Sequence, residues 1–196
     1  GRSILTAPAN LLLADRPDLA GQFAEWAPFF LPADLPWRTA ALAAGVRPLS
    51  QALTVVVVAG GDAVAETAVQ QHITTRLPLL QRLLRAETAV GHIALASPLA
   101  NVQVRSLPNL RIQAQLHLGP QLQTAPAESV LAKWVDGVLY LDSQKQPIPW
   151  TAVARELAQA VAPGQNVAGL ALGIKEVLAA ATPAAAAAVL DELGYP

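Results

Sequence analysis

Residues 36–50 read PWRTAALAAGVRPLS, and the predicted fold is built around this stretch. Its alanine- and leucine-rich part predicts one short helix, and Gly45 stands where a left-handed residue commonly ends a helix. The basic, proline-bearing residues after Gly45 predict a connector. We therefore expect a short helix that leads through this connector into the strand that follows.

That strand is the most apolar segment of the chain. Residues 53–59, LTVVVVA, contain four consecutive valines, which fit a pleated strand better than a helix because they are stiff at χ1. A continuous apolar run predicts burial on both faces. Asp62 is then expected to cap a long helix over about 63–85, kinked at Pro78. Its apolar stripe comprises Val64, Val69, Ile73, Leu77, Leu80 and Leu84.

Upstream of residues 36–50, a short strand is predicted over 11–14. Asp15 offers a side-chain oxygen as the cap of a following helix, and Asp34 does the same for the helix that Gly45 ends. The apolar face of the first of these helices carries Leu19, Phe23 and Trp26.

Strict alternation of apolar and polar residues predicts two half-buried strands, over 102–106 and 110–118, joined across residues 107–109. Residues 119–127 are predicted to form a loop. Farther on, Asp136-Gly137 lies between two β-prone runs, which predicts a hairpin with a type I′ turn. Its register should pair Val135 with Val138 and Trp134 with Leu139.

The last third of the chain is predicted to be helical. One helix should begin near Pro149 and a second should be capped by Asn166. The third should have Thr182 as its cap, Pro183 in its first position and Gly194 as its stop.

Together these elements predict an α+β fold, with mixed α/β as the alternative. We expect a mainly antiparallel sheet of about five strands packed by helices, since sheets usually have about this many strands. The chain is interpreted as a single domain over 1–196, or as two subdomains, 1–118 and 128–196, joined by the 119–127 loop.

Composition limits the classes of function. Apolar residues make up 53% of the chain and charged residues only 14%, against about 25% charged in typical domains. This deficit predicts that a partner, a second copy or the rest of a longer protein covers part of the surface. The formal net charge of −1, with interspersed signs, argues against a nucleic-acid binder. The chain has no cysteine, which excludes disulfides and thiolate metal sites.

The start of the chain and its longest apolar runs bear on its origin and location. The chain starts Gly1-Arg2-Ser3 and contains no methionine, so we interpret it as a piece of a larger polypeptide. No apolar run approaches the length of a membrane span and no signal peptide is recognisable. We therefore expect a cytoplasmic protein without a membrane partner.

The sequence contains no recognisable catalytic, cofactor-binding or metal-binding motif. Gly60-Gly61-Asp62 lacks the further glycines and the lysine of phosphate-binding loops, and is interpreted as a turn followed by a cap. None of the serines lies in a Gly-x-Ser-x-Gly elbow. The three histidines, His72, His92 and His117, have no metal-ligand spacing.

Three residues of the central stretch are the candidates for an interaction surface: Trp37, Arg38 and Arg47. Arginines in such positions contact anions or carboxylates. The simpler interpretation is a solvated pair that bonds nearby carbonyl groups. Trp37 is in turn interpreted as a core or interface aromatic residue.

Five short stretches also share a pattern with a known family. They are 13–20 (LADRPDLA), 42–50 (LAAGVRPLS), 136–141 (DGVLYL), 153–157 (VAREL) and 190–195 (LDELGY), with Phe23 after the first, Trp37-Arg38 before the second and Trp150 before the fourth. In this order they resemble the C-terminal half of large sacsin-like and NO VEIN-like proteins. Those proteins carry an ATPase domain of the gyrase, histidine-kinase and MutL superfamily at their N-terminus.

This resemblance implies a non-catalytic region of a chaperone-like ATPase. The Asp-x-Gly-x-Gly box of that superfamily is absent here, so no ATP-site residue is carried over. The first hypothesis is therefore an interaction and scaffolding domain. The alternative is a small-molecule or peptide-binding module with a pocket between the sheet and the 62–85 helix. A third is an enzyme of unrecognised type, which a cluster of His117, Arg111 and a carboxylate would support.

Overall fold

The computed structural model describes residues 6–15, 20–32, 34, 36–58, 61–87, 98–118, 121–162 and 167–195. Over these residues the chain is mixed α/β with several sheets. It divides into two compact units that interleave along the sequence. One consists of Gly1–Val56 with Ile112–Glu128, and the other of Val57–Arg111 with Ser129–Pro196.

The strands are β1 (Leu12–Ala14), β2 (Phe30–Pro32), β3 (Arg47–Pro48), β4 (Leu53–Val58), β5 (Val64–Ala65), β6 (Gln103–Leu107), β7 (Arg111–Leu118), β8 (Gln121–Thr124), β9 (Glu128–Ser129), β10 (Ala132–Val135) and β11 (Val138–Asp142). The α-helices are α1 (Arg38–Ala43), α2 (Leu49–Ala52), α3 (Thr67–Thr75), α4 (Leu77–Glu87), α5 (Trp150–Val161), α6 (Ala168–Ala179) and α7 (Pro183–Glu192). Two segments, Pro8–Asn10 and Gly21–Phe29, are 3₁₀ helices. No helix in the described ranges has the length and apolarity needed to cross a membrane.

The first unit contains a small parallel sheet in the order β2-β1-β3 and most of a second sheet in the order β4-β7-β8, with β9 also on β7. The short helix α1 ends as its sequence predicts. Gly45 has φ +96°, its N–H donates to Leu42 at 3.0 Å, and the N–H of Val46 donates to Ala41 at 3.0 Å. The core of this unit comprises Leu12, Phe23, Leu49, Ala52, Ala114, Leu116 and Ala125.

The second unit is built on the sheet β10-β11-β6-β5, which α3 to α7 help to bury. The Asp136-Gly137 hairpin has the predicted register, with Val135 opposite Val138 and Trp134 opposite Leu139. Asp136 and Gly137 have φ +48° and +83°, the values that a type I′ turn requires. The helical C-terminal third also agrees with its prediction, including Thr182, whose hydroxyl accepts from the N–H of Ala185.

The predicted single sheet of about five mainly antiparallel strands is only partly correct. Three sheets are present in the described part of the chain, and β1–β2, β1–β3 and β6–β11 are parallel pairs. The two strands predicted over 102–106 and 110–118 are present as β6 and β7, and they belong to different sheets. The turn between them is bonded to the end of β11, where the carboxylate of Asp142 accepts from the N–H of Asn109 at 3.2 Å.

The valine-rich strand β4 is not buried on both faces. Leu53 and Val55, which share one face of the strand, pack on the core of the first unit and are only partly buried. Thr54 and Val58 are exposed. Apolar composition alone therefore overestimated how central this strand is.

The predicted kinked helix over 63–85 is two helices. Arg76, with φ −96° and ψ 0°, ends α3, and Pro78 lies in the first turn of α4, where its missing N–H has no intrahelical partner to lose. Val64 belongs to β5 and is exposed, whereas Val69, Ile73, Leu80 and Leu84 are buried as expected.

Three aspartates are predicted as local caps, and residues 16–19, on which the cap predicted for Asp15 would act, lie outside the described residues. Asp15 accepts from the backbone N–H of Ser50 at 2.9 Å and from its hydroxyl, so it caps α2 from a distant part of the sequence. Asp34 lies in a turn before α1, whose first residue has no side-chain cap. Asp62 precedes β5, not a helix. Leu19, His92 and Asn166, and the side chain of Trp26, lie outside the described residues.

Candidate binding groove

A groove of about 280 Å³ lies in the first unit, between the 3₁₀ segment Gly21–Phe29 and the chain from β8 to Pro126. It is open to solvent and has both polar and apolar walls. Its lining residues are Gln22, Phe23, Glu25, Gln123, Thr124, Ala125 and Pro126.

The first wall is shaped by a break in the 3₁₀ segment. Phe23 has φ −116° and ψ +46°, which interrupts the helical path, and its ring is buried in the core beside Leu116 and Ala125. Phe23 points into the core, and the neighbouring polar residues that line the groove stay accessible to solvent. Gln22 is half-buried, and Glu25 is exposed.

The second wall is β8, which the sequence predicted to be part of a loop. β8 pairs antiparallel with β7, with Gln123 opposite Leu116 and Thr124 opposite Gln115. Residues directly opposite one another share a face of the sheet, so Gln123 lies on the core side and Thr124 on the other. The alternation of residues 121–124, QLQT, was the available signal, but the glycine and prolines around it pointed to a loop.

β8 has an open edge. Among the described strands it pairs only with β7. The N–H of Ala125 donates to Ala114 at 2.9 Å, and hydrogen-bonded and non-hydrogen-bonded pairs alternate along an antiparallel ladder. The N–H and C=O groups of Leu122 and Thr124 are therefore directed away from β7, towards the open edge.

The charge of the groove is negative. Glu25 contributes an exposed carboxylate. Glu128 is not a lining residue, but its Oε1 accepts from Nε2 of the lining residue Gln22 at 2.8 Å. The described lining contains no lysine, arginine or histidine. The groove therefore combines outward backbone groups of β8, apolar lining residues and nearby carboxylates. These groups can bind a ligand through hydrogen bonds, apolar contacts and ion pairs.

The predicted interaction residues lie elsewhere in the same unit. Trp37 immediately precedes α1 and is 49% exposed, and Arg38 is the first residue of that helix. Arg47 is half-buried in β3, where its backbone N–H donates to Leu11 at 3.4 Å. Arg47 thus follows the C-terminal end of a six-residue helix whose N-terminal end carries Trp37 and Arg38. Their role in binding stays a prediction.

His72 and Arg76 form a polar cluster in the second unit that bonds to the C-terminal end of α6. His72 donates to the carbonyl of Leu178 at 2.8 Å and stacks on Trp150 with ring centroids 4.8 Å apart. Arg76 donates to the carbonyl of Ala180 at 2.8 Å, so it satisfies the C-terminal end of α6, where a cation is favoured. Burial lowers the pKa of the Arg76 guanidinium below its ordinary value.

The arrangement that would favour an enzyme is not formed along β7. His117 and Arg111 are six residues apart on this strand, which separates their Cα atoms by roughly 20 Å. The His117 ring nitrogen Nε2 instead lies 3.2 Å from the hydroxyl of Thr54. In the described ranges, no group of three or more histidine, aspartate or glutamate side chains is placed to hold a metal ion.

Comparisons with protein families, with characterised proteins and with solved structures find no match to this chain.

Proposed function

We propose that this chain is a protein-interaction domain, a non-catalytic scaffolding part of a larger chaperone-like ATPase that acts in the cytoplasm. The observation that supports this most directly is the groove beside the open edge of β8. A strand edge with unpaired backbone groups is a common docking site for an extended segment of another protein.

The character of the surface supports the same proposal. Leu122 on β8 is 51% exposed and Trp37 is 49% exposed, while charged residues are scarce over the whole chain. Half-exposed tryptophan side chains are typical of interfaces. The partner in this proposal is the rest of the parent polypeptide, another protein or a second copy of the chain.

A small-molecule site is the second candidate, and the shape of the groove makes it the weaker one. Ligand pockets are mostly enclosed and apolar, and usually have volumes of roughly 300–1,000 Å³. The groove, at about 280 Å³, is slightly below this range, is open, and has two residues of β8 in its lining. These features suit a linear chain better than a compact molecule.

Selection from a random peptide library against the purified chain tests the proposal, with thermal unfolding in the presence of ATP or ADP as the second measurement. We expect selected peptides to bind saturably and to raise the melting temperature, and the nucleotides to leave it unchanged. Failure to select any binding peptide, or saturable stabilisation by a nucleotide, would overturn the proposal.

A further inference from the structure

We propose that the groove binds an extended basic segment of a partner protein, which adds as a strand to the open edge of β8 with its cationic side chains against Glu25 and Glu128. This inference rests on the proposed function, because it names the ligand of the same groove. It goes further by specifying the backbone conformation, the charge and the residue pattern of that ligand.

The backbone conformation follows from the geometry of β8. Leu122 and Thr124 alternate with residues bonded to β7, so their outward N–H and C=O groups are spaced to pair with a strand. A ligand in a helical conformation would leave these groups unpaired. An extended segment would satisfy them with main-chain hydrogen bonds, which supply affinity without sequence preference.

The residue pattern follows from the two faces of the sheet. Side chains of an added strand alternate between two faces of the sheet. On the core side Phe23 packs and Gln123 lines the groove together with Glu25, and on the other side Leu122 is exposed. A basic side chain on the groove side could form an ion pair with the exposed carboxylate of Glu25, whereas an acidic one would be repelled. The expected ligand therefore alternates basic and apolar residues.

The first test measures binding of a short, end-blocked peptide of alternating lysine and valine, by fluorescence anisotropy and by amide chemical shifts. We expect saturable binding that weakens with salt and that shifts the amide signals of Leu122 and Thr124. The comparison peptide has glutamate at each lysine. Equal binding of both peptides would overturn the inference that the groove prefers a basic ligand. The interaction-domain proposal would still stand, because its test is the selection of binding peptides from a library.

Variants test the two contacts separately. Glu25→Gln should lower the affinity for the lysine peptide about two- to five-fold, as expected for loss of an exposed ion pair. Asp34→Asn, which removes an exposed carboxylate outside the groove, should leave the affinity unchanged. Thr124→Pro removes an outward N–H, which an edge strand tolerates, and should weaken binding more than about ten-fold. Thr124→Val keeps that N–H and should bind normally.

Circular dichroism of each variant establishes that it is folded. If Thr124→Pro fails to fold, the affinity of Glu25→Gln and the amide shifts still test whether a basic strand binds at the edge of β8. Unchanged affinity in Glu25→Gln, or lysine-peptide binding that leaves the Leu122 and Thr124 signals in place, would overturn the inference.

Discussion

At the scale of single residues, the ion pair of Lys133 and Glu156 is the clearest case of a charge that must be paired. Its side chains are only 11% and 12% exposed, with Lys133 Nζ 3.1 Å from Glu156 Oε2. The same carboxylate accepts from the backbone N–H of Trp134 at 3.1 Å, so it connects α5 to β10. Removal of Glu156 would leave an ammonium group and an amide without partners in a poorly solvated site.

We therefore expect Glu156→Ala to lower the free energy of unfolding by about 3–5 kcal/mol, measured by urea denaturation. The matched control is Glu176→Ala, which breaks the Lys175–Glu176 pair, whose side chains are 36% and 37% exposed. Its effect should stay below about 1 kcal/mol because water already screens that pair. Equal losses in the two variants would contradict this explanation.

Gly173 is a residue whose missing side chain matters. A Cβ atom there would lie 2.8 Å from Leu83 Cδ1, and Leu83 is fully buried between α4 and α6. Gly169, in the same helix, has no such neighbour within 4 Å. Close packing of α4 on α6 thus requires a glycine at position 173 but not at position 169.

Gly173→Ala should destabilise the fold by about 1 kcal/mol net, because overpacking costs roughly 1–3 kcal/mol and the gain in helix propensity returns only part of it. Gly169→Ala should be neutral or stabilising by up to about 1 kcal/mol. Thermal unfolding of the two variants side by side provides the measurement. A more stable Gly173→Ala would show that Leu83 moves aside without strain.

At the scale of elements, the β10–β11 hairpin depends on its turn. Gly137 has φ +83°, where an L-residue with a Cβ atom is strained. Gly137→Ala should therefore cost about 1–2 kcal/mol, measured by chemical denaturation. Asp136→Asn, which keeps a side chain that tolerates a left-handed backbone, should cost much less. A hairpin insensitive to Gly137→Ala would mean that packing alone sets its register.

At the scale of the whole molecule, the two units interleave, so a cut within 119–127 should break both. Residues 1–118 keep β6 but lose β11, its parallel neighbour, and keep β7 but lose β8. Residues 128–196 keep the hairpin and α5–α7 but lose the buried side chains of α3 and α4. The predicted division into subdomains 1–118 and 128–196 therefore differs from the units that the fold forms.

We expect neither fragment to unfold cooperatively when expressed alone, as followed by circular dichroism and amide NMR spectra. Mixing the two should restore native signals in part, because together they supply the strand pairs of the fold except β7–β8, whose strand β8 lies in the removed residues. A sharp thermal transition in the isolated fragment 128–196 would contradict the interleaved arrangement.

Local sterics account for several features of this protein without reference to tertiary contacts. The left-handed stop at Gly45, the turn and register around Gly137, the cap at Thr182 and the helical C-terminal third were all predictable, because each depends on atoms within a few residues. Only tertiary structure decided that Asp15 caps α2, that β6 pairs with β11, and that β8 borders a groove. Those outcomes depend on which distant segments compete for the same backbone groups and the same buried surface, and no short stretch of sequence contains that information.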